Sequence, residues 1–448
     1  MSAALTDIRP AAPRAPRNRP AARRGWRLHY SRDVVLAFVA IFALAFIPVL
    51  GGRGALLFLV AGSLLVLSRP GASLAGLRED WMFMLMGLWC LISFIWSDYP
   101  SLSLRYGIQL CLTVVIGSAI ISRLTPTAFV KILFVTSSLE GIASLLSGRT
   151  RADGMGYLGI YASKNALASA MAMLIIVAIA VLIDRHLPRR WRLPALFSLL
   201  LGSMLMVMGK SAGALVSTFG LVLFLGLILL LQRLAPYVRL IAITLMLVLA
   251  VFVGLVISSM SAELAQGFLE LTGKDITLTG RTDLWAVALE QIARHPLLGV
   301  GFQAFWVHGQ PMAEQLWAQF GINSRAGFHF HNTLLSNTVE IGVIGTTLET
   351  VPFFLGVYLS VVWVLRSRSA ASIFFALFMV RLVILMSIEV AYFYQFGTVT
   401  ITIMAALRYG RAARRNGRSA LPRHARPAPI PAARAALRRA PAGRPGPA

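Results

Sequence analysis

Apolar stretches of about 20 residues, each long enough to cross a bilayer, recur along this chain between residues 34 and 407. Few folds accept such a pattern. In hydrocarbon every backbone N–H and C=O needs an internal partner, so a spanning segment is a helix or part of a closed barrel. Barrel strands are roughly 10 residues long and alternate in polarity; these stretches are longer and continuous. The expectation is an all-α polytopic membrane protein. Composition agrees, because 57% of the 448 residues are hydrophobic and only 13% are charged, about half the charged share of an average soluble domain.

Hydropathy places about twelve transmembrane helices, at 34–50, 54–68, 81–96, 106–122, 128–147, 161–183, 193–209, 212–231, 239–259, 334–365, 370–388 and 391–407. The tenth is the longest and contains two breakers, Gly342 and Pro352. Two basic tails flank the membrane domain: residues 1–33 hold eight arginines and residues 408–448 hold eleven. Rich in Pro, Ala and Arg, they cannot bury a core and read as disordered tails against an anionic membrane face. The net charge of +25 is therefore a membrane signal. Nucleic-acid binding is not expected, since no aromatic residues interleave with the charge. Cys90 and Cys111 both fall inside expected helices and point to neither a disulfide framework nor a thiolate metal site.

Lys and Arg sort by side of the membrane. With the N-terminus in the cytoplasm, the tails and alternate loops hold all but eleven of the 42 basic residues. That balance expects an even number of spans and both ends inside. Spans 1–9 then occupy 34–259 and spans 10–12 occupy 334–407, with residues 260–333 as one large outer loop. The exceptions include Arg105, Lys164, Lys210 and Arg281, expected on the outer side, and Arg381 within a span. A cluster of outward cations at membrane level suits an anionic, lipid-linked ligand such as a pyrophosphate. Ordinary ion pairing or snorkelling is the blander reading of any one of them.

The outer loop is polar and chemically loaded. Thr279 is positioned to cap a helix from about Arg281 to Arg294, which Pro296 ends. Leu284, Ala288 and Ile292 recur at helical spacing, with Trp285 and Leu289 beside them. Arg281 in the first turn opposes the helix dipole, which anion binding would explain; pairing with Asp283 or Glu290 is the alternative. Gly299 and Gly301 permit a turn, and Pro311 starts a second short helix with an interfacial face of Leu316, Trp317 and Phe320. His329 and His331 alternate just before the tenth span. With no Cys, Asp or Glu nearby they do not make a zinc site, whereas a neutral imidazole can accept a proton near pH 7. Asn332 could orient it or hydrogen-bond a sugar.

In order, Gly280-Arg281-Thr282-Asp283-Leu284-Trp285, His295-Pro296 to Gly299-Val300-Gly301, His329-x-His331-Asn332 and Glu340-Ile341-Gly342-Val343-Ile344-Gly345 resemble the O-antigen ligase superfamily. That family comprises O-antigen ligases, Wzy-type O-antigen and exopolysaccharide polymerases, and related oligosaccharyltransferases. Trp96-Ser97 with Pro100, Lys164-Asn165 and Lys210-Ser211 fit as well. The resemblance implies metal-independent, cofactor-free, inverting glycosyl transfer at the periplasmic face of the bacterial inner membrane. Its donor is an oligosaccharide on undecaprenyl pyrophosphate and its acceptor a glycan or lipid A core. By carry-over, His331 deprotonates the acceptor hydroxyl and Arg281 contacts the donor pyrophosphate. Lys210 stands where the family usually has a second arginine, offering charge without the bidentate fork. Arg105 and Lys164 are further phosphate contacts, and His329 and Asn332 further substrate-binding candidates. The Thr-Leu-Thr-Gly-Arg-Thr-Asp-Leu-Trp run and compact loop look closer to exopolysaccharide polymerases than to ligases. From another class, a polysaccharide flippase or ion-coupled transporter would use Glu140, Arg381 and Glu389 within spans as its path.

Overall fold

The computed structural model describes residues 31–152, 154, 156–259, 280–325, 327–390 and 393–419. Apart from one isolated antiparallel bridge, Thr150 to Tyr157, the regular structure among them is helical. The first group is α1 (Arg32–Ala45), α2 (Ile47–Leu50), α3 (Gly52–Ser68), α4 (Pro70–Glu79) and α5 (Trp81–Ile92). Next come α6 (Pro100–Arg123), α7 (Pro126–Ser147), α8 (Lys164–Ile183), α9 (Arg192–Met208), α10 (Ala212–Leu231) and α11 (Pro236–Ser259). The outer-loop sequence forms α12 (Arg281–Arg294) and α13 (Pro311–Gln319), and α14 (Thr333–Val364), α15 (Ala370–Leu385) and α16 (Thr398–Ser419) complete the chain.

Local sequence explains the boundaries. Ser31, Thr125, Ser163 and Ser369 accept hydrogen bonds from backbone N–H groups in the first turns of α1, α7, α8 and α15, satisfying donors a helix start leaves unpaired. Proline opens α4, α6, α7 and α13, where its missing N–H costs nothing.

Among the described residues six helices are long and apolar enough to cross a membrane, or seven if α3 and α4, bent by 104° at Arg69, count as one span. The protein is thus a multi-pass membrane protein in which half of the twelve expected spans are full-length helices. Of the others, α5 and α15 fall short of full crossing length. The stretch at 34–50 divides into α1 and α2, with Pro48 at the second start. The expected twelfth span at 391–407 is replaced by α16, whose helix begins at Thr398 and runs on to Ser419. Arg408 and Tyr409 therefore belong to the fold rather than to the basic tail. Arg408 pairs with Asp80 at 3.0 Å and Glu79 at 3.1 Å, and the Tyr409 hydroxyl donates to the carbonyls of Ile121 and Leu124. Residues 1–30, 260–279 and 420–448, with most of both tails and the expected Thr279 cap, lie outside the described residues.

Outward faces are apolar: Leu67, Val216 and Phe219 are each about two-thirds exposed or more, a cost in water and none in lipid. The interior holds one large core across the bundle and a second, smaller one in the loop. Leu284, Ala288, Phe305, Leu316, Trp317 and Phe330 build the latter. α13 forms where expected, but Leu316 and Trp317 are buried in this small core instead of facing the interface, and Leu289 of α12 is exposed.

α14 is broken at Gly342 (φ 67°, ψ 179°), while Pro352 sits inside an intact helix. The break exposes backbone groups, and the segment after α12 fills them. Val300 and Gly301 N–H donate to the carbonyls of Val339 and Glu340, and Val343 N–H donates to Pro296. The indoles of Trp89 and Trp96 bond the carbonyls of Ile341 (3.0 Å) and Leu298 (3.1 Å). Phe302 is held from both sides, its N–H donating to Ser93 Oγ and its carbonyl accepting from Ser103. Three of the sequence motifs are therefore structural: they clamp the loop onto the bundle.

Candidate active site

The clamp sets down the remaining motifs at one place. Trp285 on α12 donates its indole N–H to the Phe330 carbonyl at 2.9 Å, tying the helix that begins with Arg281 to the strip that carries His329 and His331. Asn332 caps α14, its Oδ1 accepting from Leu335 N–H at 3.1 Å, so only its amide nitrogen remains for a ligand. Between them His331 is held in the left-handed region at φ 51°, a conformation costly for a residue with a Cβ and typical of functional positions.

A carboxylate faces both imidazoles. Glu389 lies beyond the end of α15, not within a span, and Thr333 holds its carbonyl through Oγ1 at 2.8 Å. Its Oε2 is 3.4 Å from His329 Nε2 and 3.6 Å from His331 Nδ1, and its Oε1 accepts from Asn165 Nδ2 at 3.3 Å. The expectation that no carboxylate joins the histidines is corrected: the fold brings one from the far side of α15. Burial pushes Glu389 upward, but the nearby His331 imidazole and the charges of His329 and Arg281 outweigh it, leaving the acid below its usual range.

Hydrogen-bond direction fixes the His329 tautomer. Its Nδ1 accepts from the His331 backbone N–H at 3.1 Å, so the ring proton is on Nε2 and points at Glu389. Burial, then the neighbouring His331 and Arg281 charges, lower His329 to about 4 against the pull of Glu389. The pair is therefore a neutral imidazole 3.4 Å from a carboxylate, not an ion pair. His331 Nδ1 is buried without a closer partner among the described residues, while its side chain is 23% exposed. A partly exposed ring with one nitrogen toward a carboxylate leaves the other free to take a proton.

The histidines and Glu389 offer three ligand atoms within 4.8 Å of one another, a set that zinc accepts in other proteins. Metal-bound histidines donate their second N–H to an acceptor. Here His329 Nδ1 accepts instead, so metal on its Nε2 would break the bond it makes to the chain. The donor set fits proton holding better than metal.

Of the expected cations, Arg281 joins the site: its charge acts on both His329 and Glu389, and Glu290, its alternative partner, is bonded to Arg294. Lys164 and Lys210 are chain neighbours of two residues bonded into it. Asn165, next to Lys164, links Glu389 to Ser211, next to Lys210, through a 3.2 Å hydrogen bond, and Lys210 itself is exposed in the left-handed region at φ 50°. Arg105 places its guanidinium 5.6 Å from the Tyr106 ring centroid. Sequence reasoning did not select Glu389 for this site; its one signal was a carboxylate at the edge of an apolar stretch.

Replacing Glu389 by Gln is expected to lower the turnover of whatever proton transfer His331 performs by about 10- to 100-fold. Steady-state rates on purified protein check this; an unchanged turnover removes Glu389 from the mechanism.

A multi-pass helical membrane protein with a histidine–carboxylate–arginine site clamped against its bundle is the class these features define. Residues 196–348 match the family model described as O-antigen ligase. The chain is also 34% identical over 278 residues to the exopolysaccharide production protein ExoQ of Rhizobium meliloti (strain 1021), covering 60% of this chain and 62% of that protein. It thus spans less than two thirds of the length of the curated relative it matches. Over residues 196–348 the chain is thus similar to the O-antigen ligase family.

Proposed function

We propose that the protein is a membrane glycosyltransferase that joins glycan units carried on undecaprenyl pyrophosphate, working at the periplasmic face of the inner membrane. The observation that carries this reading is the His331–Glu389 pair with the Arg281 charge acting beside it. His331 Nε2 takes the proton of an acceptor hydroxyl, whose oxygen attacks the anomeric carbon from the face opposite the leaving group. The bond from that carbon to the pyrophosphate oxygen breaks, configuration inverts, and the electron pair leaves on polyprenyl pyrophosphate. Glu389 holds His331 and supports the imidazolium that forms. Arg281, with Lys164 and Lys210, stabilises the charge gathering on the leaving pyrophosphate. With so good a leaving group, neither nucleotide nor covalent intermediate is needed.

Polymerisation is favoured over ligation to lipid A core, since the relative bears an exopolysaccharide name and the Arg281 motif looks polymerase-like. Purified protein given lipid-linked oligosaccharide should form new glycosidic bonds and release carrier pyrophosphate. Arg281→Ala should lower that rate by about 10²-fold or more, with Arg281→Lys recovering only part. Carrier movement across vesicles without bond formation would overturn the reading. In a deletion strain, shortened chains indicate a polymerase, and intact lipid-linked chains missing from lipid A core indicate a ligase.

A further inference from the structure

Arg381 on α15 has no part in the chemistry above, yet it is a charged side chain buried in the bundle. It is 4% exposed among membrane helices. Among the described residues it donates to Ser169 Oγ at 2.9 Å, while its Nε is buried without a partner. A guanidinium cannot shed its proton to escape the low dielectric, and charges at this depth ordinarily pair or face a polar path. Arg381 does neither within the described chain. It lines a cavity of about 410 Å³, inside the roughly 300–1,000 Å³ range of small-molecule sites. Glu140 lines the same cavity, but its carboxylate accepts from the Tyr161 hydroxyl at 2.9 Å and does not pair with the arginine. The other walls are largely apolar, with Leu44, Met173, Phe378 and Phe396 prominent.

The cavity's place in the fold is set by α8. Asn165 bonds Glu389 and Ser169 bonds Arg381; four residues apart on one helix, they are separated by about 6 Å along its axis. The Arg381 site thus lies one turn from the histidine cluster, on the bundle side.

We propose that this cavity binds a phosphate-bearing lipid, with Arg381 and Ser169 contacting the phosphate and the apolar walls taking the hydrocarbon chain. An unpaired guanidinium edge recognises phosphate, and a single cation in an apolar chamber favours an anion carrying its own hydrocarbon over a hydrated one. The choice of an isoprenoid phosphate over other lipids rests on the proposed function; the existence of the site does not.

Binding of farnesyl phosphate, phosphatidylglycerol and inorganic phosphate to the full-length protein in detergent tests this without any transfer assay. Farnesyl phosphate is expected to bind well above inorganic phosphate and to lose about tenfold or more in affinity in Arg381→Gln. Ser169→Ala, which keeps the charge, should lose less. Should Arg381→Gln fail to stay monodisperse, Arg381→Lys serves the comparison and should bind several-fold more weakly. Selective farnesyl phosphate binding assigns the site to the glycan carrier, and equal competition by phosphatidylglycerol assigns it to bilayer phospholipid. Unchanged affinity in a well-folded Arg381 variant overturns the proposal, as does inorganic phosphate binding as tightly as either lipid. A protein that binds farnesyl phosphate through Arg381 yet forms no glycosidic bond would keep this site and lose the proposed function.

Discussion

His331→Ala should abolish glycan transfer, a loss of about 10²–10⁴-fold in rate, with membrane abundance and melting temperature nearly unchanged. The second half of that expectation is what makes it diagnostic. His331 Nδ1 makes no hydrogen bond within normal distance among the described residues, so truncation leaves no buried partner stranded except Glu389, which keeps Asn165. The backbone at φ 51° disfavours alanine only somewhat more than histidine. Asparagine tolerates this region better than most residues and cannot act as a base at neutral pH. His331→Asn should accordingly be at least as stable as the parent protein and equally inactive. Rates on purified protein beside thermal midpoints decide it. Substantial product from either well-folded variant would remove His331 as the base.

How much of this was legible in the sequence depends on whether the information is local. Helix α12 was, because Leu284 and Ala288 keep helical spacing and both are buried. The grouping of Arg281 with His329 and His331 came from the order of motifs, and the fold brings them together through the Trp285–Phe330 bond. Gly342 was visible as a breaker, but its purpose was not. The loop that fills the break is some forty residues upstream, and no pattern in either segment announces hydrogen bonds from Val300 to Val339 or from Val343 to Pro296. Glu389 was hidden for the same reason. It reaches the histidines only because α14 and α15 run side by side and Thr333 grips the segment after α15.

Gly342→Ala is expected to be the most destabilising single-methyl change in the protein. At φ 67° and ψ 179° the residue occupies a region essentially reserved for glycine. A Cβ there would overlap the Leu297 carbonyl and the Leu298 nitrogen, and these are backbone atoms that cannot swing aside as a side chain could. Relieving the overlap means withdrawing the 296–303 segment from the break. That would strand the carbonyls of Val339 and Glu340 and release the Trp96 bond to Leu298. The expected cost exceeds about 3 kcal/mol, enough to deplete folded protein and to separate the loop from the bundle in what remains. Gly220→Ala supplies the contrast, since nothing lies within 4 Å of the added methyl; in the middle of α10 it should be neutral or stabilising by up to about 1 kcal/mol. Thermal midpoints of the two variants in detergent measure the difference. Equal midpoints would mean that the break in α14 is not what holds the loop, and that His331 and Arg281 owe their positions to the small loop core alone.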